Sequence, residues 1–463
     1  MPRIEHVVVV TLENRSFDSM LGRLYPKSAG FDGLDGSESN PWHKPDGSAV
    51  PVRVWNTPDI TGRAVSIPDP NPGELFADIT EQIFGRGAGP GASPTMTGFV
   101  DNYLAQRQDE QSADPRAVMH YFRPEQVPVI SGLARAFGVS DLWHASAPCE
   151  TWPNRYFMHA GTAGGHVNNE RSYFPYRLPV RLPTIFRRLD ARGYSWRLYF
   201  HDLPQAATLV DLWTSMPSRF CLFEAEFARH AQSGRLANYS FIEPRYYPSR
   251  LARHVPNDQH PPHNLVYGEQ LIAAAYNAVR SAPTWPRTLL VVTYDEHGGC
   301  FDHVPPPTAV PPGGPCPDGF AFDRYGVRVP AVIVSPYVPP GSVVRPSGAS
   351  EGKPAVPFDH CSVQATLHRL FDLGPPLTPR VAAAPDLLGA LTLAGPDNCG
   401  PERIGEDMPL LPSAEEVAAH RRLPRNRHQR HMHSPAVGLP ALLARATAGL
   451  RGLGARAQTR RQR

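Results

Sequence analysis

Lysine is nearly missing from this chain of 463 residues: Lys27, Lys44 and Lys353 stand against 43 arginines. Total charge is nonetheless balanced, with 46 basic and 43 acidic side chains and a net of +3, which excludes bulk electrostatic coating of nucleic acid and predicts no specific nucleic-acid partner. Long apolar runs are missing too. The opening MPRIEHVVVVTLEN is too short in its apolar stretch for a signal-peptide core or a membrane span, so a cytoplasmic protein is expected, with peripheral membrane association at most. The six cysteines contain no CxxC pair, which excludes a zinc knuckle or a dense disulfide framework and leaves room for one or two bridges. What is present is 41% apolar residues, enough to exclude disorder throughout, together with 38 glycines and 53 prolines that require many turn-rich connections.

β-branched runs recur at residues 4–12, 136–142, 196–200, 239–242, 288–294 and 329–334, and helical spacing of apolar residues falls at 182–191, 268–279 and 362–371. This alternation predicts an α/β domain with a central, largely parallel sheet flanked by helices. Residues 1–412 are expected to form that catalytic domain, with a loop-rich insertion near 25–98. Residues 413–463 carry eleven arginines against Glu415 and Glu416, which leaves an acidic excess on the rest of the chain. They are expected to be a disordered basic tail. Leu439, Leu442, Leu443, Leu450 and Leu453 with Arg445, Arg451 and Arg456 suggest a weak amphipathic helix able to touch an anionic membrane surface, while His428, His431 and His433 read as composition.

Two distant segments share one form, VVVVTLEN ending at Asn14 and LLVVTYDE ending at Glu296. Each is a buried-type strand that ends in adjacent oxygen ligands. Sites in open α/β sheets lie beyond the carboxyl ends of strands, so if these two are parallel neighbours, Glu13, Asn14, Asp295 and Glu296 converge. Three carboxylates together call for a cation, and oxygen donors favour the Ca²⁺, Mg²⁺ or Mn²⁺ class. Each pair also has an ordinary structural use: Asn14 or Ser16 could cap a helix starting at Phe17, and Asp295 could open a turn into Gly298 and Gly299.

Thr151 in CETWPNRYF precedes a helix-starting Pro-containing turn, a setting for a nucleophile whose hydroxyl pKa a nearby cation lowers, and equally for a plain N-cap. Asn154 and Arg155 in that first turn could contact phosphate oxygens, or Arg155 could serve an ion pair. Of the clustered histidines, His260 is the first choice for proton donation to a leaving alkoxide and His303 the second, with His201 and His297 as substrate-binding candidates. Any one of them could equally be a satisfied structural histidine.

ENRSFD at 13–18, TWPNR at 151–155, NDQHPP at 257–262, YDEHGGCFDHVPPP at 294–307 and GVRVPAVIVSPY at 326–337 resemble, in order, the bacterial phosphoesterase family. That family contains phosphatidylcholine-type and plant non-specific phospholipases C and an acid phosphatase branch, with an alkaline-phosphatase-like fold. The resemblance runs from about residue 4 to about 375. It implies Glu13, Asn14, Asp295 and Glu296 as ligands of a divalent metal, Thr151 as ligand and nucleophile, and His260 as a phosphate-binding or proton-donating group. The phospholipases tend to carry Pro-Gly-His before a QIFG stretch, where this chain has Pro72, Gly73 and Glu74, and their GGFYDHV reads GGCFDHV here.

These features predict a metal-dependent phosphoric ester hydrolase, first of all a phospholipase C-type enzyme cleaving a phosphodiester, with a phospholipid as the leading substrate. The alternatives are an acid phosphatase-type phosphomonoesterase and a non-catalytic phosphate or headgroup binding protein.

Overall fold

The valine run at the start of the chain forms β1 (His6–Leu12), buried on both faces along its length. The computed structural model describes residues 4–88, 91–106, 114–169, 181–249, 251–346, 356–408, 411–425 and 429. Among these, β1 is followed by β2 (Ser39–His43), β3 (Ala49–Arg53), β4 (Gly138–Ser140), β5 (Trp196–Phe200), β6 (Phe220–Leu222), β7 (Tyr239–Ile242), β8 (Thr288–Tyr294), β9 (Ala331–Val334) and β10 (Ser342–Val343).

Eight of them make one sheet in the order β10-β4-β9-β8-β1-β7-β5-β6, in which β9 alone runs against the rest. The expected α/β class with a largely parallel sheet is what the chain adopts. β1 and β8 sit at its centre, and strands covered on both faces read as unbroken apolar runs, which is why these two were the easiest to find. Their parallel register pairs His6 with Thr288 and, six residues on, Leu12 with Tyr294. The strands at 136–142 and 329–334 are shorter than expected, because a helix over Pro128–Ala136 takes the first residue of one, and in the other the Val329 amide bonds to Trp143 O and Pro330 has no amide to give the ladder.

Helices cover the sheet. Leu265–Arg280 starts where the Asn264 side chain accepts from the Val266 amide, and Ile185–Ala191, Cys361–Phe371 and Thr151–Ala160 add their apolar sides. The last ends at Gly161, with φ +70°, where a Cβ would lie 2.4 Å from Val381 Cγ2, so only glycine fits both the backbone and the space.

The insertion is more than loop. It holds the antiparallel β2–β3 hairpin and a helix over Phe76–Phe84, joined by an apolar cluster of Leu34, Val52, Ile79, Ile83, Phe99 and Tyr103 that reaches Phe301 and Val327 of the main body. Within the basic segment, Ala414–His420 is a helix. Ser413 and Glu416 cap it reciprocally, and Val417 is buried with Val255 and Tyr267. The leucines at 439–453 and His428, His431 and His433 lie outside the described residues. All six cysteines are free thiols, and among the described residues no helix is long and apolar enough to cross a membrane.

Candidate active site

Because β1 and β8 are parallel neighbours in register to Leu12 and Tyr294, the two acid pairs that follow, Glu13-Asn14 and Asp295-Glu296, leave the sheet side by side at the carboxyl edge. Backbone bonds continue past the strands, with the Asp295 amide donating to Leu12 O (3.2 Å) and the Glu13 amide to Asp258 O (2.8 Å). Asn14 turns the chain in the left-handed region at φ 55°, and Gly298 has to be glycine because a Cβ there would sit 2.4 Å from Asn14 O. The Asn14 amide donates to Asp295 Oδ1 (3.1 Å), which joins the two loops directly. Ser16, not Asn14, caps the following helix, accepting from the Ser19 amide at 3.1 Å. Asn14 is thereby left to the site.

Arg155 is buried among the acids. Its Nε donates to Asp295 Oδ2 (2.9 Å), Nη2 to Glu13 Oε1 (3.3 Å) and Nη1 to Tyr246 OH (2.8 Å), with Glu243 Oε2 at 3.7 Å. The guanidinium read from the sequence as a phosphate contact is therefore engaged by carboxylates. One cation does not balance this set: burial first, and then mutual repulsion, hold the Glu13 and Glu296 carboxyls well above the ordinary range, and burial raises Asp295 despite Arg155.

Thr151 is the first residue of its helix and follows Glu150 in the cap position, where no side-chain capping bond forms. Its hydroxyl instead donates to Asn14 Oδ1 at 3.3 Å. Around it, the Trp152 amide donates to Asn169 Oδ1, and Pro153 has no amide, so the helix end offers its dipole more than open N–H groups. Asn154, read as a phosphate contact, spends its amide on the backbone of the approach: Oδ1 accepts from the Ala147 N–H (3.1 Å), and Nδ2 donates to the carbonyls of Ala147, Cys149 and Glu150 (3.2, 2.8 and 3.3 Å). It shapes the loop that delivers Thr151.

The histidines separate. Nε2 of His260 lies 3.2 Å from Glu74 Oε2, and Nδ1 lies 2.6 Å from Pro261 O; burial opposes its charge most, but Glu74, Asp258 and the Pro261 carbonyl together outweigh burial and raise the imidazole pKa. His297 is held by Gln82 Oε1 (2.8 Å), with burial lowering it to about 3, and His201 lies against Glu243 O (3.0 Å) and stacks on Phe223, with burial lowering it to about 4. His303 stands in another cluster. Its Nδ1 meets Asp18 Oδ2 at 2.6 Å and its Nε2 meets Asp32 Oδ1 at 3.1 Å, and these bonds overcome burial to raise it to about 10. An imidazole bound at both nitrogens and held charged that firmly is a poor proton shuttle.

Asp18, Asp302 and His303 are the one group of three metal-capable side chains among the described residues whose ligand atoms fall within 4.8 Å. Arg328 already bridges that group, donating to Asp302 Oδ1 (2.9 Å) and Asp18 Oδ1 (3.0 Å), so the cluster is neutralised internally. The strand-end set is spread wider, with Arg155 between Glu13 and Asp295. It still fits a hard divalent cation: every donor is oxygen, negative charge exceeds Arg155 and His260, and buried Glu296 Oε1 and Asp258 Oδ2 have no hydrogen-bond partner among the described residues.

Several site residues escaped the sequence reading. Glu74 comes from the insertion and accepts from Asn14 Nδ2 at 2.7 Å; its only sequence signal was its place after Pro72 and Gly73. Asp258 is bonded to His263 Nδ1 (2.7 Å), and Glu243 and Tyr246 surround Arg155. His360 Nε2 lies 2.6 Å from Asp295 O and steadies the strand end. No local motif marks Glu74, Glu243, Tyr246 or His360, which only the fold brings in, whereas Asp258 lies within the NDQHPP stretch.

The phosphoesterase family profile matches residues 4–374. Non-specific phospholipase C3 of Arabidopsis thaliana is 35% identical over 89% of this chain and 77% of its own length, and non-specific phospholipase C1 of the same plant is 38% identical over 80% and 67%. Among solved structures, a protein in the alkaline phosphatase superfamily from Vibrio parahaemolyticus aligns at 12% identity and TM-score 0.32 over 56% of this chain and 64% of that one. With a profile match over most of its length and relatives of this identity and coverage, the chain belongs to the phosphoesterase family.

Proposed function

We propose that the chain hydrolyses a phosphodiester by phospholipase C-type cleavage, with Thr151 as nucleophile and a phospholipid as substrate. The observation that carries the reading is the Thr151 hydroxyl, unused as a cap and held on Asn14 where the two acid pairs meet. The names of the relatives point to the same ester class.

Glu13, Asn14, Asp295 and Glu296, with Thr151 Oγ1, are the oxygens that would hold a divalent cation of the Ca²⁺, Mg²⁺ or Mn²⁺ class. Such an ion supplies charge neutralisation for the acids and for the phosphoryl oxygens. Asn14 Oδ1 holds the Thr151 proton and so orients the oxygen's lone pairs. As Oγ1 bonds to phosphorus and the ester P–O bond breaks, the Thr151 proton passes to one of the strand-end carboxylates and His260 Nε2 delivers a proton to the departing alcohol oxygen. Water then cleaves the phosphorylated threonine, restoring the hydroxyl and releasing a phosphomonoester. Arg155 and Tyr246 keep Asp295, Glu13 and Glu243 in place throughout. The arginine-rich residues 413–463 would supply contact with an anionic membrane surface.

Thr151→Ala should cut turnover of a chromogenic diester by at least about a thousandfold with the fold intact, while Thr151→Ser keeps appreciable activity. Wild-type rates in the alanine variant would overturn the assignment. A monoester chromogen assayed in parallel separates the diesterase from a phosphatase of acid phosphatase type.

A further inference from the structure

We propose that Glu74 sets the charge of the ester this site accepts, admitting a monoanionic phosphodiester and turning away a dianionic phosphomonoester. The inference rests on the phosphoesterase reading of Thr151 and names a residue that selects its substrate class.

Glu74 is held firmly. Gln82 Nε2 donates to Gly73 O (2.8 Å) while Gln82 Oε1 meets His297 Nε2 (2.8 Å), so the same amide ties the Glu74 segment to the residue after Glu296. Gly299 packs against that segment, and a Cβ on it would lie 2.7 Å from Gly73 O. On the other side, the Leu75 amide donates to Asp78 Oδ2 (3.0 Å), which starts the helix over Phe76–Phe84. The carboxylate that results is 5% exposed.

Its position decides which charges face an incoming phosphoryl group. Oε2 takes a hydrogen bond from Asn14 Nδ2 (2.7 Å) and lies 3.2 Å from His260 Nε2, so it sits beside both the side chain that orients Thr151 and the one that protonates the leaving group. It adds a fifth acid to Glu13, Asp258, Asp295 and Glu296. Against these stand Arg155, already committed to Glu13 and Asp295, and His260. Arg15, next to Asn14, turns Nε and Nη1 to the carbonyls of Gln259 and Ile67 (2.8 and 2.5 Å), and its buried Nη2 has no hydrogen-bond partner among the described residues. A diester brings one negative charge at neutral pH and a monoester brings two. The second charge meets the Glu74 carboxylate at short range, a repulsion that Coulomb interaction in a partly buried site makes large.

The test compares wild type with Glu74→Gln, which keeps the shape and the bond to Asn14 but removes the charge, and with Glu74→Asp, which keeps the charge. Binding of dimethyl phosphate and of methyl phosphate by calorimetry, and kcat/KM for bis-p-nitrophenyl and p-nitrophenyl phosphate, give two ratios of diester to monoester. Both ratios should fall about tenfold in Glu74→Gln and stay near wild type in Glu74→Asp. Unchanged ratios in Glu74→Gln overturn the proposal. Failure of wild type to turn over either chromogen would instead overturn the Thr151 reading, and the binding ratio would still decide the role of Glu74.

Discussion

The two loops that leave β1 and β8 each deliver acids twice, and the two deliveries are treated in opposite ways. At the strand ends, Glu13 and Asp295 share one guanidinium, burial raises both carboxyls and that of Glu296, and Glu296 Oε1 has no hydrogen-bond partner among the described residues. A few residues further on, Asp18 and Asp302 are bridged by Arg328, and His303 joins them with both nitrogens bonded. The second cluster is the closer packed of the two and the more metal-like by distance, yet it is complete in itself. Incompleteness, more than proximity, marks a site that awaits a ligand, because a buried acid without a partner costs stability that only binding can return.

Removing one acid from each cluster should therefore have opposite effects on stability. Asp302→Ala takes one of the two carboxylates from Arg328, leaving its Nε buried without an acceptor, and should destabilise the protein by about 3 kcal/mol in denaturant titrations. Glu296→Gln in chelator should be neutral or stabilising, since it relieves repulsion. The sign follows from linkage: a carboxyl whose folded-state pKa is raised contributes stability below the unfolded value and loses it as pH rises through the folded one. Wild-type protein in chelator should thus weaken as pH climbs above about 4.3, and Glu296→Gln should weaken less. Equal losses in both variants would erase the contrast.

A smaller effect sharpens the view of the second cluster. His303 is raised to about 10, so its share of stability is present below about 6.5, the ordinary histidine value, and is lost as pH rises through 10. The gap in melting temperature between wild type and His303→Gln should close between pH 6 and pH 10.5, and a constant gap would show that the imidazole charge is not what holds Asp18 and Asp32. The smallest expected effect concerns the C-terminal arginines. Deleting residues 430–463, which keeps Gln429 on Tyr246 and Tyr247, should leave hydrolysis of a soluble diester within about twofold, since every site residue lies upstream, while binding to acidic vesicles should drop. Vesicle binding equal to that of the full chain would remove the membrane role from those arginines.

The central strands and their acids were legible because strands buried on both faces write themselves as valine runs, and register then brings the Glu13-Asn14 and Asp295-Glu296 pairs side by side without further information. Short edge strands such as β6 and β10 carry no such signature. The histidines show the limit most plainly: His260 and His303 look alike as text, and only the fold reveals that one faces Glu74 beside Asn14 while the other is locked between Asp18 and Asp32. Glu74 and Glu243 were hidden for the same reason, being isolated acids that become neighbours of Asn14 and Arg155 through long-range packing. The Ser413 and Glu416 capping pair was readable in principle, but the surrounding arginine excess obscured it.

The central claim is that the unfinished cluster serves Thr151, and rapid quench of the enzyme with a phosphodiester followed by peptide mass analysis tests it most directly. The account predicts a phosphoryl-ester adduct on the peptide containing Thr151 in wild type and none in Thr151→Ala. A wild-type enzyme turning over at full rate with no adduct at any quench time, or an alanine variant that keeps that rate, would contradict it and make water the attacking group.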